Sequence, residues 1–103
     1  MEMLVCENIA SEIEIPPEGI LSKPLLRDEH LKVVLFGFSP GQELSEHTAA
    51  VPAIMHILDG EGEVTLGGQT YAVKSGAWFY MPGHTPHSVR AISPLKMVLY
   101  LLA

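Results

Sequence analysis

Apolar and polar positions alternate in short runs along this chain, and glycine or proline interrupts them every 8–12 residues or so, a spacing typical of all-β chains. The run Leu31–Phe38 predicts a strand closed by Ser39-Pro40-Gly41, and residues 53–58 predict another, closed by Asp59-Gly60. Glu63-Val64-Thr65-Leu66 alternates polar with apolar and meets Gly67-Gly68 before residues 69–73 resume the pattern. That is a hairpin signal, because a two-residue primed turn needs positive φ at its centre. Residues 77–81, 88–92 and Leu95–Leu102 predict the remaining strands. No segment keeps a 3.6-residue period for three turns without meeting glycine or proline. Residues 22–31 form the best short helical candidate, with Pro24 inside it. About eight short strands joined by polar turns predict an all-β sandwich or small barrel.

Composition narrows this further. A chain of 103 residues with 48% apolar and 17% charged positions suits one folded domain spanning residues 1–103 and rules out wholesale disorder. The longest apolar run, Met97 to Ala103, has seven residues. A spanning helix needs about 20, so no transmembrane helix is expected. The first residues are acidic and lack the basic and apolar regions of a secretory signal. A single cysteine, Cys6, cannot form an internal disulfide and suits a reducing compartment, so a cytoplasmic protein is expected.

The formal net charge is -6, and the charges are unevenly spread. All twelve acids lie within residues 2–63 beside three bases, 3 - 12 = -9, while the remainder carries only Lys74, Arg90 and Lys96, giving +3. Scattered cations make no phosphate-tracking stripe, so nucleic acid is not an expected partner.

The chemically loaded side chains are five histidines: His30, His47, His56, His84 and His87. No serine sits in a glycine elbow, Cys6 has no evident base, and Gly60-Glu61-Gly62 opens onto a strand and not a phosphate-binding helix. The histidines gain meaning from the glycines and prolines around them. Gly41, five residues, His47, then Gly60 near the end of residues 41–60 resembles the first motif of the cupin family. Gly76, five residues, Pro82, then His87, within residues 76–91, resembles the second. Both occur in order and at matching spacing.

The resemblance implies a single antiparallel jelly-roll β-barrel with a pocket where the motif residues converge. In metal-binding cupins, two histidines and a glutamate of the first motif join the histidine of the second around one divalent ion; Fe, Mn, Ni, Cu and Zn are all used. Here the second histidine falls on Ala49 and the glutamate on Ala53, while the glycine of the second motif falls on His84 and its asparagine on Ala91. His47 and His87 alone survive of the four ligands. Losing even an outer-shell partner costs 10–100-fold in metal affinity, so two lost ligands should cost at least roughly 10²–10⁴-fold. The expected function is therefore a small-molecule-binding cupin without a tight catalytic metal, in a carrier, sensor or accessory role. The alternative is a metal-dependent cupin enzyme of dioxygenase or isomerase type, with a divalent transition metal held weakly by His47 and His87. His47, His87, His84, Met55 and Tyr80 are the expected pocket residues, with Val51, Ile57, Trp78, Met97 and Leu99 as wall or core. Alternation predicts that His56 points away if position 53 faces inward. Family members often pair through barrel faces and terminal strands, which implies a homodimer using residues 12–15 or Leu95–Leu102.

Overall fold

The structure, a computed structural model, describes residues 2–103. A short 3₁₀ turn at Ile9–Glu12 precedes nine strands: β1 (Ile20–Arg27), β2 (Leu31–Phe38), β3 (Glu43–His47), β4 (Ala53–Asp59), β5 (Glu61–Leu66), β6 (Gln69–Lys74), β7 (Trp78–Met81), β8 (His87–Ala91) and β9 (Leu95–Leu102). They divide between a five-stranded sheet in the order β1-β2-β9-β4-β7 and a four-stranded sheet in the order β3-β8-β5-β6. All pairings are antiparallel. The fold is thus all-β, as the alternation predicts. Its strands form two antiparallel sheets, an arrangement consistent with the jelly roll expected.

Alternation decides which side chains lie between the sheets. β4 turns Ala53, Met55 and Ile57 inward, where they are buried with Val64, Val73, Met81, Val89, Ala91, Met97 and Leu99 in one core. Fully burying a Leu-, Ile- or Met-sized side chain contributes about 1.5–3 kcal/mol, so this layer is the main source of stability. The outer face of the five-stranded sheet has its own cover. Ile13 packs with Val33, Leu35 and Val98, and Ile9, Leu58 and Tyr100 flank them. Burial on both faces is why β2 and β9 read as continuous apolar runs, whereas β5 alternates.

Three expectations change. Residues 22–31 are not helical: most of them belong to β1, an edge strand paired only with β2. Pro24 fits there because an edge strand has a free side for a residue with no N–H, and the register shifts beside it, between Pro24 and Leu26. Residues 12–15 form no strand for a partner, since Ile13 is spent covering the chain's own sheet. β9 lies between β2 and β4, so neither of its edges is free to pair with a second copy. No helix among the described residues is long and apolar enough to cross a membrane.

Candidate functional site

The two surviving motif histidines lie forty positions apart and meet at one end of the sandwich. β3 pairs with β8 so that His47 stands directly opposite His87. Their ring centroids are 4.1 Å apart, with the planes at 60°. A bulge makes this possible. Leu44 pairs with Val89 and His47 with His87, so β3 spends one more residue than β8 over that stretch. Strict alternation from inward-packed Leu44 would have turned His47 outward; the extra residue restores it to the inner side.

Both rings are oriented by the same local contact. His47 Nδ1 lies 2.9 Å from the Ser45 carbonyl oxygen, and His87 Nδ1 lies 2.9 Å from the Thr85 carbonyl oxygen. A carbonyl only accepts, so in each case Nδ1–H is the donor. The neutral tautomer then leaves the Nε2 lone pair unprotonated. His87 is 3% exposed and His47 open to solvent, so the pair has a buried member and an accessible one.

Burial pushes the His87 pKa below its ordinary 6.5; the Thr85 carbonyl opposes this and the neighbouring His47 adds to it. The sign for stability follows directly. Below 6.5 the unfolded chain binds a proton that folded His87 resists. Stability is therefore full above that pH and is lost as pH falls through 6.5 and the lowered folded-state value. Urea midpoints should accordingly fall between pH 7.5 and 5.5, and the His87→Phe variant should show a smaller fall over the same window.

The rim around the pair is built from the 48–52 loop and the 82–85 turn. The His84 N–H donates to the Ala49 carbonyl at 2.7 Å. A Cβ on Gly83 would come within 2.5 Å of the Ala50 carbonyl oxygen, so only glycine permits this approach. His84 has φ +66°, the one positive value at a non-glycine position among the described residues. This explains why the family motif has glycine there: the backbone is left-handed, and a side chain at that φ costs roughly 1–2 kcal/mol. The His84 ring is exposed.

Other expected pocket residues fall elsewhere. Tyr80 does not lie on the inner side; β7 pairs Ala53 with Met81 and Ile54 with Tyr80, so alternation carries Tyr80 to the outer face beside Trp78 and His56. Trp78 and Tyr80 are 57% and 53% exposed, so neither is a wall or core residue. His56 lies on that outer face too, in line with alternation. Met55 does face inward but is completely buried in the core and offers no free surface. The inward β7 residue beside Ala53 is Met81, which the sequence reading did not single out, because the pairing of β4 with β7 is non-local. At the same end, Leu31, Val51 and Leu101 wall a depression of about 230 Å³, with Arg27, Asp28 and Lys32 also lining it.

The four-ligand metal centre of metal-binding cupins does not fit this donor set. Ala49 and Ala53 carry no donor, and the register partners of Ala53 are Met81 and Leu101. Among the described residues, no group of three or more His, Cys, Asp or Glu side chains comes together to hold a metal ion.

Comparison with known proteins agrees with the fold and the motifs. The cupin domain family profile matches residues 34–102, which takes in both histidines and every strand except β1 and the start of β2. The chain belongs to the cupin family. An uncharacterised protein of Methanocaldococcus jannaschii is 40% identical over 47 residues, 44% of this chain and 38% of that protein. The chain therefore spans well under half the length of that relative. Among solved structures, a conserved protein of unknown function from Streptococcus pyogenes superposes with a TM-score of 0.86 at 28% identity, covering 99% of this chain and 90% of its own. A cupin superfamily protein from Desulfitobacterium hafniense gives 0.87 at 24% identity, over 99% and 94%.

Proposed function

We propose that this cupin binds a small molecule at the His47–His87 pair, without a tight catalytic metal, and acts as a carrier, sensor or accessory protein. The observation that carries this reading is the bulge in β3, which sets an accessible imidazole against a buried one where the family's two other ligand positions hold alanine. A site of mostly apolar residues with a few placed polar groups is the usual composition of a small-molecule pocket.

A second reading has one specific observation in its favour. Metal-bound histidines usually donate their other ring N–H to a carbonyl or carboxylate, and both rings do so here. A weakly held divalent ion on His47 and His87, as in a reduced metalloenzyme, is the form that reading takes. Elemental analysis of protein purified without chelator separates the two. Well under one equivalent of transition metal per chain is expected. One equivalent that disappears in both His47→Ala and His87→Ala would reverse the order of the readings.

A further inference from the structure

The chemistry of the pair restricts what it can hold. Each Nδ1–H is committed to a backbone carbonyl, so what remains free on each neutral ring is an acceptor lone pair at Nε2. Neither Nε2 has a hydrogen-bond partner in the protein, and no fully buried side-chain nitrogen or oxygen among the described residues lacks one. The His87 Nε2 must therefore keep some contact with solvent even though its ring is 3% exposed. Nothing on the register partners of the pair or of Ala53 supplies a donor: these are Met81, Leu101 and Leu66. No lysine or arginine lies in β3, and Arg90 of β8 is held at 3.1 Å by Glu63 on the outer side.

The geometry points to an acceptor-only site that selects uncharged ligands presenting hydroxyl or N–H donors and rejects carboxylates and phosphates. This rests on the small-molecule reading above and adds the class of ligand. The two rings lie 4.1 Å apart, centroid to centroid, within reach of one ligand that carries neighbouring donors, as on a diol or a primary amide. An anionic oxygen would face lone pair against lone pair at the two rings, and no lysine or arginine among the register partners of the pair offsets it. An ether of the same shape would leave both nitrogens unpaired, and one unsatisfied hydrogen bond costs about tenfold in affinity.

The cations that do lie near, Arg27 and Lys32, line the adjacent depression together with Asp28. An anion bound there would leave the histidine rings undisturbed, so the readout must come from the rings themselves. The test is a fragment screen on chelator-treated full-length protein at pH 8, read by nitrogen-resolved NMR of the His47 and His87 side chains. The fragments are matched sets: an alcohol or phenol, its methyl ether, and the carboxylate of the same skeleton. The free protein should show protonated Nδ1 and unprotonated Nε2 on both rings. Fragments that shift the Nε2 signals should be alcohols, phenols or N–H compounds, with ethers and carboxylates at least about tenfold weaker. Carboxylates binding as tightly as alcohols on those signals would overturn the ligand class and leave the binding site standing. No fragment of any class moving either ring would overturn both.

Discussion

The double substitution Ala49→His with Ala53→Glu is expected to raise divalent-metal affinity by at least roughly 10²–10⁴-fold, or about 3–5 kcal/mol. The two positions are the donors missing from the family's four-ligand arrangement, and the rings of the two that remain lie 4.1 Å apart, centroid to centroid. The backbone is ready to accept the change at position 49. Its carbonyl, not its side chain, holds the 82–85 turn through the His84 N–H, and the residue is only half-buried. Position 53 is different, because Ala53 is 2% exposed beside Met81 and Leu101. A glutamate there places a carboxylate among apolar side chains, and an unpaired buried charge costs several kcal/mol. The metal-free double variant should therefore melt below the parent. Metal at a hundred times its Kd should return about 2.7 kcal/mol by mass action. Competition against a chromophoric chelator measures the affinity, and circular dichroism checks that the fold is kept. A folded double variant with no gain in affinity would mean that positions 49 and 53 do not face the histidine pair.

How much of this site the sequence discloses can be traced through single residues. The alternation in residues 53–58 predicts that Ala53, Met55 and Ile57 share the buried face and that His56 does not, and β4 obeys it. Period-two patterning is local, so it survives without knowledge of the partner strands. His47 illustrates the opposite. Its facing depends on one extra residue in β3, and a bulge has no reliable sequence mark when no glycine announces it. Only the motif spacing pointed to His47, and it did so without giving the reason. Tyr80 fails for a related cause. Short strands offer either parity, and the pairing that fixes it, Ile54 with Tyr80, joins segments more than twenty residues apart. β1 was hidden by Pro24, which reads as a breaker unless the strand is known to be an edge. The N-terminal cover was hidden because Ile13 sits in an acidic stretch with no period of its own.

Gly60→Ala is expected to cost about 3–5 kcal/mol, a large part of the 5–15 kcal/mol that holds a domain of this size together. Gly60 closes the first motif at the point where the chain leaves the five-stranded sheet at β4 and enters the four-stranded sheet at β5. Its φ is +92°, and a Cβ built on it would lie 2.0 Å from the Pro94 carbonyl oxygen and 2.9 Å from the Leu95 Cα. Both are backbone atoms at the start of β9, and they cannot rotate away. The surrounding turn is also pinned: the Glu61 N–H donates to Ser93 Oγ at 2.8 Å, and the Glu61 carbonyl accepts from Ile92 and Ser93. The added methyl must therefore push the β4–β5 corner away from the start of β9, on top of about 1–2 kcal/mol for the left-handed backbone. Gly41 opens the same motif and supplies the control. Its φ is +82°, yet nothing lies within 4 Å of the Cβ it would carry. Gly41→Ala should accordingly cost only the conformational part, about 1–2 kcal/mol. Urea unfolding of the two variants side by side separates strain from steric conflict. Equal losses at the two positions would show that the close passage of Pro94 over Gly60 does not constrain the β4–β5 corner.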